Sequence, residues 1–268
     1  MTRRLEGRAA VVTGAGRGIG RAAAHLMAQE GAGVVVASLT GDTAEAVASE
    51  IRDAGGRAVA VKADVADPEQ NKAMIDAALA EYGRIDILHN NAMLTEQEHY
   101  ARDVDLLDFA PETFHRFMDV NVVGGILACK YALPHMLAQG NGSIIFTSSI
   151  ASFGGDAMAF SYGATKATVD WYMKTIAIRY GKRGIRCNAI APGVVRTASQ
   201  QAWSDPDKDA AFLSVTNSPR LGEPEDIGRM AVFLATDDAS WVNGAVIPVD
   251  GGTSASNTLV PALRTFLP

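Results

Sequence analysis

A short apolar run that leads directly into a glycine-rich loop constrains the fold of this chain more than any other feature. Residues 8–13 are rich in strand-forming side chains, TGAGRGIG covers residues 13–20, and helical character continues to residue 31. In such a strand–loop–helix unit, glycines let backbone N–H groups approach a phosphate at the helix N-terminus. This context favours a phosphate-binding unit over an ordinary structural turn.

Strand-like and helix-like segments alternate along the rest of the chain. The predicted strands cover residues 8–13, 33–37, 58–61, 85–88, 144–146, 185–191 and 245–249. The predicted helices cover residues 19–31, 43–54, 68–82, 111–138, 162–179 and 225–236. Asp67 is expected to cap the third helix, because it precedes a proline at the first helical position. The alternation predicts an α/β fold with a parallel sheet between two helical layers.

Two longer segments have no clear period. Residues 94–110 are polar and acidic and are expected to form a loop over the mouth of the cleft. Residues 197–219 are mixed in composition and are expected to form a substrate loop or lid. No repeat, low-complexity tract or linker interrupts the pattern, which predicts one domain over residues 1–268.

Composition excludes several functional classes. Of 268 residues 48% are hydrophobic, enough for a large core, and the net charge of -6 argues against a nucleic-acid-binding surface. No uninterrupted apolar run reaches membrane-spanning length and no signal peptide is recognisable, so we expect a cytoplasmic protein. The two cysteines, Cys129 and Cys187, are expected to be buried free thiols. The histidines lack metal-ligand spacing, and no metal site is predicted.

The segment IIFTSSIASFGGDAMAFSYGATK, residues 144–166, carries the strongest candidate for chemistry. Tyr162 and Lys166 are four positions apart, on one face of a helix. A tyrosine has a pKa of ~10, and a neighbouring ammonium is expected to lower it toward the working pH of an acid–base catalyst. Ser149 ends the preceding strand and could hydrogen-bond a substrate oxygen. Taken alone, the pair could also be incidental residues of a surface helix.

The choice of dinucleotide depends on the end of the second strand. An acidic residue there usually holds the adenosine ribose 2′-OH, but this chain has Ser38, Leu39 and Thr40. Arg17 in the glycine loop could bind a 2′-phosphate. These residues favour NADP(H), and NAD(H) remains possible.

The order of these motifs resembles the short-chain dehydrogenase/reductase family, in its compact single-domain branch. The resemblance covers nearly the whole chain and rests on TGAGRGIG at residue 13, Asp64-Val65, NNA at residue 90, Asn121, Ser149, YGATK at residue 162 and PG at residue 192. It implies a Rossmann-type, doubly wound, seven-stranded parallel sheet in three α/β/α layers. It also implies a homotetramer that packs through the helices of residues 111–138 and 160–180.

The resemblance implies a role for each catalytic residue. Tyr162 would be the acid/base, Lys166 would bind the nicotinamide ribose and lower the Tyr162 pKa, and Ser149 would orient the substrate oxygen. Asn121, an amide among valines that is also consistent with a satisfied core residue, would hold a water in a proton relay to Lys166. Besides Tyr162 and Lys166, the implied cofactor-binding residues are Gly14, Arg17, Ile19, Gly20, Ser38, Asp64, Val65, Asn91, Val195 and Thr197.

Two features depart from the family pattern. Met93 replaces the glycine of the NNAG motif, which puts the local backbone and the nearby pocket wall in question. The chain between Met93 and Asn121 is also several residues longer than usual. We place this extra length around residues 98–103, where it should reshape the substrate entrance.

The expected function is an NAD(P)-dependent oxidoreductase that interconverts a secondary alcohol and a ketone of a small molecule. One alternative is an NAD-dependent dehydrogenase of a cyclic diol or hydroxylated ring, and another is a non-enzymatic, cofactor-sensing regulator. An enoyl reductase is disfavoured, because that branch spaces its tyrosine and lysine more widely. Four residues could form either an apolar substrate pocket or part of the core: Phe153, Met158, Phe160 and Trp203.

Overall fold

Seven parallel strands form a single sheet at the centre of the molecule. The computed structural model describes residues 3–201, 204–257 and 259–260. The strand order is β3-β2-β1-β4-β5-β6-β7, with every neighbouring pair parallel. The strands are β1 (Ala9–Thr13), β2 (Gly33–Ser38), β3 (Arg57–Lys62), β4 (Ile87–Asn90), β5 (Gly142–Thr147), β6 (Ile185–Pro192) and β7 (Val246–Val249). The order reverses between β1 and β4, which confirms the predicted doubly wound sheet and fixes its switch point.

Helices cover both faces of the sheet, and the strands are apolar for that reason. Val11 packs into one buried cluster and Val12 into the other, as expected when successive side chains of a strand point to opposite faces. The helices are α1 (Gly18–Gln29), α2 (Gly41–Asp53), α3 (Pro68–Tyr82), α4 (Gln97–Ala101), α5 (Pro111–Met118), α6 (Gly124–Gln139), α7 (Phe160–Tyr180), α8 (Ala198–Gln201), α9 (Pro206–Val215) and α10 (Pro224–Ala235).

The predicted helices and strands are confirmed to within a few residues, and Asp67 caps α3 as expected. The two predicted loops are wrong in part. Residues 94–110 contain α4 and the 3-10 turn Leu106–Asp108, and residues 197–219 contain α8 and α9. Asp205 precedes Pro206 and caps the start of α9, because its carboxylate accepts a hydrogen bond from the Lys208 N–H. This capping signal is visible in the sequence. Trp203 lies outside the described residues.

The predicted helix over residues 111–138 is continuous but irregular. A π-helical turn, Asp119–Val123, joins α5 to α6 and carries Asn121. By length and composition alone, Pro111–Gln139 could cross a membrane. Half of its most apolar window is buried in the fold, as in a core helix packed on a sheet.

Both cysteines are free and buried, as predicted. Burial raises the pKa of the Cys129 thiol to about 12, so this thiol is not a nucleophile at neutral pH.

Asp86 lies directly before β4 and is hydrogen-bonded to β1 and β5. Its carboxylate accepts a hydrogen bond from the buried Ala9 N–H at 2.9 Å and pairs with Arg84. We expect Asp86→Ala to lower the free energy of unfolding by about 2 kcal/mol, because the Ala9 N–H loses its acceptor. Urea unfolding would measure this. Asp76→Ala, which removes only an exposed pair with Lys72, is the control and should leave the midpoint nearly unchanged.

Candidate active site

The four predicted catalytic residues meet beyond the carboxyl ends of β4 and β5. The Ser149 side chain is close enough to the Tyr162 phenol to lower its pKa, and the Lys166 Nζ lies 5.5 Å from the centroid of the Tyr162 ring. Asn121 is tied to the same helix through a 3.1 Å bond from its Nδ2 to the Thr165 Oγ1. The site is therefore assembled from the end of β5, the first turns of α7 and the π-helical turn before α6.

Lys166 is a buried cation. It is 2% exposed, and its Nζ donates a hydrogen bond to the Thr147 carbonyl at 2.7 Å. Burial lowers the pKa of Lys166 to about 8, while the Asp170 carboxylate one turn further along α7 acts in the opposite direction. The ammonium is therefore retained at neutral pH but loses its proton far more readily than a surface lysine does.

The expected lowering of the Tyr162 pKa is wrong for the protein alone. Burial of the phenol raises the pKa of Tyr162, and the Ser149 side chain opposes this only in part. The Lys166 ammonium, for its part, donates a hydrogen bond to the Thr147 carbonyl. A phenol is therefore the resting form of Tyr162 at neutral pH.

Asn121 has both properties that its sequence context suggested. It is a satisfied core amide, because its Oδ1 accepts from the Leu94 N–H at 2.7 Å while its Nδ2 donates to Thr165. It also lines a small cavity of about 10 Å³ with Asn90, Thr147 and Lys166. This space is about that of one water molecule. The Asn90 Oδ1 that belongs to this lining has no hydrogen-bond partner within the described residues.

The glycine loop has the geometry of a phosphate cradle. Gly14 has a φ of 62°, and a side chain at Gly20 would place its Cβ 2.4 Å from the Gly14 carbonyl oxygen. In the described part of the chain, no side chain caps the N-terminus of α1. The first N–H groups of α1 are therefore available to an anion, which fits the pyrophosphate of a dinucleotide.

The end of β2 beside the glycine loop is lined by hydroxyls. The Ser38 Oγ lies 3.0 Å from the Thr43 Oγ1, which also lies 2.7 Å from the Thr40 Oγ1. Arg17 extends across the cleft, where its Nη2 donates to the Thr95 Oγ1 at 2.8 Å. Lys62 is the β3 partner of Ser38, and sequence reasoning did not consider it.

The remaining predicted cofactor residues lie along the same edge of the sheet, with different surroundings. The Asn91 Nδ2 donates to the Thr13 carbonyl at 3.0 Å, so this side chain ties strands together. The Thr197 methyl would be 3.3 Å from a Cβ on Gly18, which brings the start of the predicted lid to the glycine loop. The structure gives the surroundings of four other predicted residues: Ile19 packs against the core, the Asp64 carboxylate accepts from the Ala66 N–H, Val65 lines the small cavity, and Val195 bridges to Gly222.

Met93 fits the backbone without strain. Among the described residues, Ala159 is the one non-glycine with a positive φ, so Met93 avoids the conformation that would favour glycine. Met93 therefore leaves the local backbone in an ordinary conformation.

Three of the four candidate pocket residues are not part of the core. Phe153, Met158 and Phe160 are each at least 40% exposed. A cavity of about 350 Å³ opens beside Ile150, next to Ser149, and is lined by Val194, Phe212, Leu221 and Val249. Its lining is mixed, because it also contains Arg220, Asp226, Arg229 and Asp250, and part of it comes from the predicted lid. One surface group, Glu96, Glu98 and His99, has metal-ligand spacing, but exposed acidic groups of this kind are common without a metal.

Sequence reasoning missed the residues that support the catalytic set. The Thr147 carbonyl, the Thr165 hydroxyl and the Asp170 carboxylate all contact or influence Asn121 or Lys166. Thr147 lies in the TSS motif and Thr165 and Asp170 share a helical face with the catalytic residues, so spacing could have suggested them. Asp103 and Tyr100 lie between β4 and α5 and had no such signal.

Comparison with known proteins agrees with this geometry. A family model described as enoyl-(acyl carrier protein) reductase matches residues 14–254. The chain is 40% identical over 248 residues to cis-4-hydroxycyclohexanecarboxylate dehydrogenase of Sinomonas cyclohexanicum, covering 92% of this chain and 97% of the relative. It is 37% identical to meso-2,3-butanediol dehydrogenase of Serratia marcescens, covering 95% and 97%.

A solved structure is also similar. It is a 7α-hydroxysteroid dehydrogenase in complex with NADH and 7-oxo glycochenodeoxycholic acid, with a TM-score of 0.88, 33% identity and coverage of 94% of this chain and 96% of that chain. The fold and the site define a nicotinamide-dependent oxidoreductase of CH–OH and C=O groups. The chain belongs to the short-chain dehydrogenase/reductase family.

The raised pKa of Tyr162 predicts opposite pH dependences for the two directions. Alcohol oxidation needs the phenolate as base, so below the Tyr162 pKa we expect kcat/KM to rise by up to about tenfold per pH unit. Ketone reduction needs the phenol as acid and should stay level until that pKa is reached. Initial rates in both directions between pH 6 and 10 would test this, and an oxidation rate that does not change with pH would contradict it.

Proposed function

We propose that this protein transfers a hydride between a nicotinamide cofactor and a secondary alcohol or ketone, with Tyr162 as the acid/base. The observation that supports this best is the convergence of Ser149, Tyr162 and Lys166 at the carboxyl edge of the sheet, beside an uncapped helix N-terminus. A phenol, a hydroxyl and a buried ammonium at one place are the groups that carbonyl reduction requires.

Each residue has one task in this mechanism. When bound, the cofactor supplies or accepts the hydride. Ser149 donates a hydrogen bond to the substrate oxygen, and Tyr162 gives that oxygen its proton in reduction or removes it in oxidation. Lys166 holds positive charge near the phenol, which favours the phenolate in oxidation. The pKa of Tyr162 is raised in the protein alone. The charge of the bound cofactor must therefore stabilise the phenolate further.

We also propose that the proton on Tyr162 is exchanged through Lys166 and a water beside Asn121. The small cavity between Asn90, Asn121 and Lys166 supports this, since it has the volume for one water and contains an unpartnered amide oxygen. The pKa of Lys166, lowered to about 8, suits a group that passes protons near neutral pH.

Tyr162→Phe should lower kcat by at least about 1,000-fold, because it removes the proton donor and leaves the ring in place. Fluorescence titration should show cofactor binding within about threefold of wild type, since the phenol contributes little to the ground state. Tyr172→Phe, on the exposed face of the same helix, is the matched control and should retain full activity. Near-normal turnover of the Tyr162 variant would rule out its assignment as the acid/base.

For the cofactor, we propose a preference for NADP(H) over NAD(H). Ser38 and its neighbouring hydroxyls offer hydrogen bonds without a carboxylate that would repel a phosphate. Arg17 and Lys62 are the nearby cations, and Arg17 must exchange its bond to Thr95 for one to the phosphate. The NADH-bound relative makes NAD(H) the main alternative.

Arg17→Ala should weaken NADPH binding by about 10- to 100-fold, the contribution of a charge-assisted hydrogen bond, and leave NADH binding nearly unchanged. Paired titrations with both cofactors would measure this. Arg21→Ala is the control, because Arg21 lies on the same helix but pairs with Glu50. If wild type binds NADH more tightly, or if Arg17→Ala weakens both cofactors equally, the proposed preference is wrong.

For the substrate, we propose a secondary alcohol on an apolar ring. The cavity of about 350 Å³ next to Ile150, with Val194, Phe212, Leu221 and Val249 in its lining, supports this choice. Rates with cis-4-hydroxycyclohexanecarboxylate and meso-2,3-butanediol, each with NAD⁺ and NADP⁺, would distinguish ring from acyclic alcohols. Cofactor binding without turnover on a broad panel would instead favour a regulator.

We further propose a cytoplasmic homotetramer that packs through α5, α6 and α7. Trp171 and Ile178 on α7 are more than 70% exposed, which suits a covered surface better than a solvated one. Sedimentation velocity would give the mass, and a monomer would contradict the proposal.

A further inference from the structure

The segment in which we expect the extra length is in direct contact with the helix that carries Tyr162. We call residues 94–103 the clamp segment, and it comprises the turn after β4, the short helix α4 and the residues up to Asp103. It begins at Leu94, whose N–H donates to Asn121, and it ends against the start of α7. Its contacts determine how the first turn of α7, which carries Tyr162, is held.

The Asp103 carboxylate caps α7 from outside the helix. Its Oδ1 and Oδ2 lie 2.8 and 2.9 Å from the Ser161 nitrogen, and its Oδ2 also accepts from the Tyr162 N–H at 3.2 Å. A helix normally receives these bonds from its own N-cap side chain. The N-cap of α7 is Ala159, which has no acceptor to offer.

The Asp103 backbone holds the residues just before this turn. Its carbonyl accepts from the Ala159 N–H at 2.8 Å and the Phe160 N–H at 3.3 Å. Ala159 has a φ of 62°, a conformation that is unfavourable for alanine and persists only where its surroundings impose it. Asp103 therefore receives hydrogen bonds from four successive residues at the point where α7 begins.

The burial of Asp103 indicates that this arrangement is specific. The residue is 4% exposed, and across the described ranges no lysine, arginine or histidine forms an ion pair with its carboxylate. The adjacent Arg102 pairs with Glu112 instead. A buried carboxylate without a cation is costly, and here only the N–H groups and the positive end of the α7 dipole compensate it.

A second contact reaches Tyr162 itself. The Tyr100 ring lies 6.1 Å from the Tyr162 ring and 5.1 Å from Phe117, between centroids. The Tyr100 hydroxyl donates to the Leu94 carbonyl at 3.1 Å, which fixes the ring against the start of the same segment. The clamp segment thus contacts Tyr162 through a backbone bond and through a packed ring.

We propose that Asp103 is a positioning residue for Tyr162, which fixes the first turn of α7 and so the direction of the catalytic phenol. This inference rests on the proposed function of Tyr162. Asp103 touches neither cofactor nor substrate, and it acts through the backbone of residues 159–162. Because the N-cap residue of α7 has no side-chain acceptor, Asp103 of the clamp segment accepts the hydrogen bonds that an N-cap side chain usually accepts.

The test compares Asp103→Ala, Asp103→Asn and Asp105→Ala. Asp105 is the matched control, because it lies two residues away and caps the exposed turn Leu106–Asp108 through the Leu107 N–H. The substrate and cofactor are those that the wild-type enzyme turns over fastest. With them, Asp103→Ala should lower kcat by about 10- to 100-fold, because small displacements of a catalytic group have effects of this size. Its affinity for NADH and NADPH should stay within about threefold of wild type, since the cofactor cradle is elsewhere.

The asparagine variant separates positioning from general stability. Its Oδ1 can still accept from the Ser161 N–H, so kcat should recover to within about fivefold of wild type. Asp105→Ala should match wild type. A kcat for Asp103→Ala within about threefold of that of Asp105→Ala, measured where both are folded, would overturn the proposal.

Hydrogen exchange provides a readout that does not depend on activity. The amides of Ser161 and Tyr162 should exchange at least about tenfold faster in Asp103→Ala, while those in the middle of α7 stay protected. Unchanged exchange at these two amides would also overturn the proposal. If Tyr162→Phe remains active, the proposed function fails. If Tyr162→Phe is inactive but Asp103→Ala behaves as wild type, only the positioning role fails.

Discussion

A chain of hydrogen bonds at the switch point of the sheet connects the cofactor loop to the catalytic helix. The Thr13 Oγ1 accepts from the Asn91 N–H, the Asn91 Oδ1 accepts from the Thr147 hydroxyl, and the Thr147 carbonyl accepts from the Lys166 ammonium. These bonds tie β1, β4, β5 and α7 together at their functional ends. The relative position of phosphate cradle and ammonium is therefore set by the sheet and not by a mobile loop.

His89 completes this chain in a fixed protonation state. It is fully buried, and burial lowers its pKa to about 4, so it is neutral at physiological pH. The Thr147 hydroxyl donates its proton to Asn91, so the His89 Nε2 must donate to Thr147 at 2.9 Å. The His89 Nδ1 has no partner among the described residues, which agrees with this tautomer. The neutral His89 therefore adds no charge to this edge of the sheet.

The site is tuned by burial as much as by charge. Burial raises the pKa of Tyr162 and lowers that of Lys166, so both groups are shifted toward their neutral forms. The backbone carbonyl of Thr147 and the carboxylate of Asp170 act to keep the ammonium charged. The clamp segment adds a third kind of control, because it holds the helix that carries both groups without placing charge in the cleft.

The sequence alone determined the elements, their order and most of the site. Alternating apolar segments of strand and helix length, the loop at residues 13–20 and the spacing of Tyr162 to Lys166 are local properties, and local patterns record them. The tertiary structure alone decided three further properties. The pKa of Tyr162 depends on burial by distant elements, the cap of α7 comes from Asp103 far along the chain, and Arg17 bonds Thr95 across the cleft. Each of these depends on residues that are remote in sequence and adjacent only after folding, so no local pattern contains them.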